Sequence, residues 1–222
     1  MKIYLSLFLC SVMAFMVGCS SVQVDELRWE ATSIDTSKDT VVVLGRHHSP
    51  EFETEAGLVS CLGRKLKSNV KGLNVIEAEE FQNTLYPWFE PRTAPLTVEK
   101  FIQTLDQPLL SDAIKSQNIK YMIWIEGATE KVNGYGSLSC GITPGGAGCF
   151  GFGAWEDESK YEASIWDFEN TKEVGKITTD ASGTSYVPAV VIPIPLLARV
   201  QANACDGMGE QLSNFLQPSE SS

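Results

Sequence analysis

Apolar and polar positions along the chain change period several times, and each change marks an element. Thr40 to Arg46 carries the unbroken apolar run Val41-Val42-Val43-Leu44, which predicts a strand covered on both faces. Ser49-Pro50-Glu51 then reads as a helix start. Phe52, Ala56, Val59, Leu62 and Leu66 follow at steps of three and four, the spacing of one helical face, and Gly72 closes that helix. Leu73 to Glu77 predicts a short strand, Glu79 to Leu85 a helix ended by Pro87, and Val98 to Leu105 and Ser111 to Gln117 two helical pieces interrupted by Pro108. Lys120 to Thr129 alternates as a third strand. Tyr161 to Phe168 and Val174 to Thr184 form a hairpin about the polar turn Glu169-Asn170-Thr171-Lys172. Residues 187 to 196 are apolar, but three prolines there speak against a ladder or a helix. Ala198 to Leu216 predicts a last helix, with Ala204, Met208, Leu212 and Phe215 on one face. The fold class is therefore α/β, a single domain with a mixed sheet flanked by helices: two strands joined by a helix pair in parallel, and the later hairpin is antiparallel.

The N-terminus has another character. One positive charge, Lys2, precedes an apolar run from Ile3 to Val17 that is too short for a transmembrane helix and has the shape of a secretory signal. It ends Val17-Gly18-Cys19, which resembles a lipobox. That resemblance implies cleavage before Cys19, acylation of Cys19 and stable anchoring in a membrane without a spanning segment. Ser20 stands where an aspartate would signal inner-membrane retention, so the expected address is the outer membrane, facing the periplasm. The expected organisation is a signal peptide at 1–18, a lipidated tether at 19–38, one envelope domain at 39–217 and a disordered tail at 218–222.

Charge and cysteines narrow the classes. The formal net charge is −11, one unit more negative once Lys2 leaves. Such a chain is a poor nucleic-acid binder and is repelled by anionic lipid. Beyond Cys10 and Cys19, four cysteines remain, an even number in an oxidising compartment. Cys140 and Cys149 flank a short glycine- and proline-rich segment and are expected to pair, leaving Cys61 with Cys205. On a helical wheel Cys61 lies opposite the apolar stripe, so that second bridge has to run along the side of two neighbouring helices. No C-x-x-C pair suggests zinc.

The order of elements resembles the periplasmic domain of the curli-secretion lipoprotein CsgG, the penicillin-binding-protein activator LpoB and the N-terminal domain of TolB. The residues that carry the resemblance are Val41 to Arg46, Ile119 to Gly127, and Ile165-Trp166-Asp167-Phe168 with the following turn and Val174-Gly175-Lys176. It implies an envelope accessory domain that binds other proteins. The chain departs from the group in its cysteine-flanked glycine segment and in Tyr86 to Pro95, YPWFEPRTAP. Neither reads as the long amphipathic strands of the CsgG pore, so channel function is not implied.

Candidate chemistry is sparse. His47 and His48, the only histidines, precede Glu51, Glu53 and Glu55 and could bind a metal or act as a base. Neighbours on an extended chain point in opposite directions, so one histidine at most can join such a site. An envelope enzyme or metal-binding protein using them is the alternative reading; the preferred one is non-enzymatic, without cofactor or metal. The segment 140–153 is glycine-rich but lacks the Gly-Lys-Ser/Thr ending of a phosphate loop. Trp88, Phe89 and Arg92 in one irregular segment, and Phe150, Phe152 and Trp155 in or beside the other, are residue types that dominate interfaces. They are the candidate surface for an envelope protein partner.

Overall fold

The computed structural model describes residues 20–46, 54–90, 93–143, 146–193 and 197–217. Six strands form one mixed sheet: β1 (Ser20–Arg28), β2 (Thr40–Gly45), β3 (Asn74–Ile76), β4 (Ile119–Thr143), β5 (Gly146–Asp167) and β6 (Lys172–Pro193), in the order β1-β6-β5-β4-β2-β3. Five described helices accompany them: α1 (Ala56–Asn69), α2 (Ala78–Thr84), α3 (Val98–Leu105), α4 (Pro108–Ser116) and α5 (Val200–Leu216). By contacts the chain divides into two compact units. The larger holds Val22–Ala128, Ser159–Asp180 and Gln201–Ser222; the smaller holds Met1–Ser21, Thr129–Glu158 and Ala181–Val200.

In the larger unit, β2 lies between β3 and β4 and runs parallel to both, with Val42 opposite Ile76 and Met122. Central position and cover on two faces explain the unbroken valine run. One face packs Val42, Leu44, Met122, Trp124, Trp166 and Phe168 against Phe81, Phe101, Leu110 and Ile114 of α2, α3 and α4. The pleat turns Val41, Val43 and Ile123 the other way, and they are equally buried. There α1 packs on β2 and is bridged to α5 by Cys61–Cys205, with Cα atoms 6.3 Å apart. Cys205 is buried and Cys61 only partly so, which places the bond along the flank of α1, as the helical wheel requires.

Several helix limits follow local signals. Thr97 caps α3 by accepting a hydrogen bond from the Lys100 amide, 3.3 Å away. Pro108 interrupts nothing: it is the first-turn proline of α4, where its missing N–H is harmless. The aromatic pair Phe101–Phe168 meets edge-on at 4.6 Å and fixes α3 on the sheet.

Three expectations are corrected. The first part of the expected tether is strand β1, paired to β6: the Trp29 amide donates to the Val174 carbonyl, and the Ser21 and Ser182 hydroxyls are 2.9 Å apart. Its alternating Val22 and Val24 lie against α5, where Gly207 makes room; a Cβ there would sit 3.0 Å from both valines. The described residues of the glycine-rich segment are not a loop: they are the end of β4 and the beginning of β5, each far longer than its apolar core predicts. Finally, β6 continues through Pro188. The partner strand β1 begins at Ser20, beside Ser182, so the later part of β6 is an edge among the described residues. There a proline removes no ladder bond.

Candidate functional site

Cys19, His47, His48, Glu51, Glu53 and Arg92 lie outside the described residues. Glu55, next to the histidine segment, is held by the sheet: the Tyr161 hydroxyl donates to its carboxylate at 2.9 Å. Among the described residues no group of three or more histidine, cysteine or acidic side chains converges to hold a metal. An open cleft of about 470 Å³ has an apolar floor of Leu105, Ile114, Ile119 and Phe168. Its polar wall holds an ion pair, Lys120 to Asp39 at 3.1 Å, with Ser111, Lys115, Asn118 and Glu169 beside it. Below it, Asp35 accepts hydrogen bonds from the Ser37 hydroxyl (2.6 Å) and amide (3.1 Å). These bonds, with Lys38, hold its carboxyl down at about 2.

The two aromatic segments have different fates. Phe89 is fully buried and meets Phe81 edge-on at 4.8 Å, so it anchors the Tyr86 to Pro95 segment to the core. This corrects its assignment to a contact surface. Trp88 is half-buried at the margin of the same cluster, and Tyr86, Leu96, Ile102 and Leu109 nearby in sequence are exposed. The Tyr86–Pro87 peptide is cis. What remains exposed from this segment through α4 is a set of apolar side chains interspersed with Glu99, Lys100 and Asp106, with Trp88 at the border of the core.

The smaller unit carries the other segment. Residues 129–143 of β4, 146–158 of β5 and 181–193 of β6 run side by side as a three-stranded ribbon. Tyr135, Phe152 and Tyr186, one from each strand, line up with ring centroids 6.3 and 6.0 Å apart. Trp155 lies under the Lys131 ammonium, 4.5 Å from its ring centre, and its indole N–H donates to Asp157 at 3.1 Å. Cys140–Cys149 staples β4 to β5 with Cα atoms 4.0 Å apart, a spacing that directly opposed residues of an antiparallel pair approach. Glycine lets the strands approach so closely. At Gly136, φ is 112° and a Cβ would lie 2.2 Å from the Phe152 carbonyl oxygen. Phe150 is 60% exposed and Ile142 89% exposed; Val132, Leu138, Tyr135 and Phe152 are exposed as well. From Val132 to Ala154, and again from Ala181 to Ala198, no charged residue occurs, in a chain that is 20% charged. Sequence reasoning named Phe150, Phe152 and Trp155 but missed Tyr135, Ile142 and Tyr186. The break in charge was the signal that could have found them.

A buried cation lies in the larger unit. The Arg46 guanidinium, 7% exposed, sits 4.7 Å above the Trp124 ring and 5.4 Å from that of Trp166, with Glu126 at 3.8 Å. Burial lowers its pKa, against the pull of Glu126. Its stacked and paired environment makes it a structural element.

No protein-family model matches the chain, and no curated protein does. Among solved structures it is similar to the PelC dodecamer from Paraburkholderia phytofirmans at 14% identity, covering 90% of this chain and 100% of that chain, with a TM-score of 0.41. A single-residue variant of the same PelC gives 14% identity, 89% and 98% coverage, and a TM-score of 0.38.

Proposed function

We propose that this protein is a lipid-anchored, non-enzymatic accessory protein of the bacterial cell envelope, held at the outer membrane by acylated Cys19 and facing the periplasm. It serves assembly, secretion or wall synthesis through contacts with an envelope protein. The observation that carries the reading is the amount of apolar side chain left exposed on two surfaces, from Tyr86 to Leu109 and on the ribbon. Exposed apolar patches of this kind mark contact sites. The resemblance of the element order to CsgG, LpoB and TolB, the signal-like N-terminus and the two disulfides support the same address.

Two measurements test it. Metabolic labelling with a fatty acid should mark the wild-type chain and not Cys19→Ala, which should also leave the membrane fraction; unchanged labelling in the variant overturns the anchor. Crosslinking in intact cells should capture an envelope protein, and Trp88→Ala or Leu109→Asp should reduce that capture while thermal stability stays close to wild type. Normal capture by both variants removes the protein-contact reading. Stoichiometric metal in protein purified without added metal, lost on replacing His47 and His48, would establish the alternative.

A further inference from the structure

We infer that the three-stranded ribbon of the smaller unit is a second membrane-contact element, which lies in the interfacial layer of the bilayer beside the lipid anchor. The inference rests on the anchored reading for where the bilayer is; the surface itself is independent of it.

Composition is the first support. The described residues of the first uncharged stretch, and those of the second as far as Pro193, lie on this ribbon, and charge returns at Lys131 on β4 and Glu156 on β5. Those two positions share one level, because the Lys131 ammonium stands over the ring of Trp155, the residue before Glu156. A water-facing sheet has no need to exclude every charge over such a length; a lipid-facing one does. Exposed Ile142, Leu138, Val132 and Phe150 supply apolar area. Tyr135, Tyr186 and Trp155 combine a ring with a polar tip, as side chains at the headgroup level do. Asn133, Ser137 and Ser139 add uncharged polarity suited to that layer and out of place in hydrocarbon.

Position is the second support. Ser20, the residue after Cys19, already belongs to β1, and Ser21 meets Ser182 of β6 in the same unit as the ribbon. One extended residue spans about 3.5 Å, so an acylated Cys19 places the bilayer surface next to this unit, without slack. The acidic chain gains nothing from anionic lipid, so apolar burial is the available attraction.

Depth follows from the backbone. The neighbour of β4 on its other side, β2, ends at Gly45 opposite Ile125, so the later part of β4 is an edge among the described residues. An open edge in hydrocarbon leaves amides and carbonyls unsatisfied at several kcal/mol each. A single copy therefore rests at the interface, where water still reaches that edge.

The test uses the mature, lipidated chain reconstituted into phosphatidylcholine vesicles with a membrane-restricted photoreactive lipid. Intact mass confirms acylation, so failure of the anchor is seen separately. Labelling of the peptide from Val132 to Ala154 is expected several-fold above that of the peptide containing Leu109, which is 77% exposed but lies among charged residues. In Ile142→Asp/Phe150→Asp it should fall to the Leu109 level with thermal stability unchanged. Raising the salt should leave the wild-type labelling intact. Ribbon labelling no greater than that at Leu109 overturns the inference. In that case, crosslinks between ribbons of two copies would identify a second copy as the occupant, and their absence would leave another protein. Release of an entrapped dye together with a detergent-stable oligomer would overturn the interfacial depth in favour of closed spanning strands.

Discussion

Removing the bridge between Cys61 and Cys205 should destabilise the protein much more than removing the bridge between Cys140 and Cys149. The first joins residues 144 apart in sequence. The chain-entropy relation then gives a stabilisation of about 5 kcal/mol at 25 °C. The second joins residues 9 apart, for which the same relation gives about 2.7 kcal/mol. Against a typical domain stability of roughly 5–15 kcal/mol, the difference between the two is readily measured. Structure widens the gap. Cys205 is 1% exposed, so its replacement by alanine also leaves a small cavity beneath α5. The Cys140–Cys149 bond, by contrast, joins strands that their own ladder already holds in register. The variants are Cys61→Ala/Cys205→Ala and Cys140→Ala/Cys149→Ala. Urea unfolding followed by tryptophan fluorescence reads the larger unit, because Trp124 and Trp166 are buried there. The first variant should unfold at far lower urea, with a similar slope; the second should lose about half as much. Equal midpoints, or a larger loss in the second variant, would refute the loop-length reasoning and show that the unfolded chain keeps α1 and α5 together without the bond.

The remaining predictions concern packing, backbone and pH. Phe89→Ala should cost about 3–5 kcal/mol, seen as an early urea midpoint, because it empties a fully buried site and breaks the pair with Phe81; a near-neutral result would return Phe89 to the surface. Gly127→Ala should destabilise by at least about 1–3 kcal/mol, since φ is 125° there and the new Cβ would meet the Lys160 carbonyl oxygen at 1.9 Å; calorimetry of the variant checks this. Asp35, held at about 2 by Ser37 and Lys38, stabilises the fold only while ionised. That contribution is complete above the ordinary aspartate range near 4 and is lost as pH falls through about 2. An acid titration should therefore show Asp35→Asn less pH-sensitive than wild type in that window and equal to it in slope above; parallel curves throughout would refute it.

How much could be read beforehand depended on the range of the forces involved. The α1, α3 and α5 helices and strand β2 announce themselves through local period: Val59, Leu62 and Leu66, or Met208, Leu212 and Phe215, meet one core whatever surrounds them. The ribbon did not, because its alternation is written in residues with little strand preference. Gly134, Gly136 and Cys140 share a phase with Val132, Leu138 and Ile142, and glycine is read as a loop signal when it here permits close approach of strands. In β1 the pattern was two valines among polar residues, meaningful only once α5 covers them. Residue type alone suggested contact roles for Phe89 and Phe150 alike. Which of them is covered is decided by α2, far from either the glycine segment or its period.

Pro188 has a consequence for strand pairing. It has no backbone N–H to offer a neighbouring strand, which makes the later part of β6 a poorer margin for strand addition. The outer margin of β4 carries no proline from Ile119 to Thr143. Of these two margins β4 is the readier to accept a strand, while β1 and β3, the outer strands of the sheet, keep margins of their own.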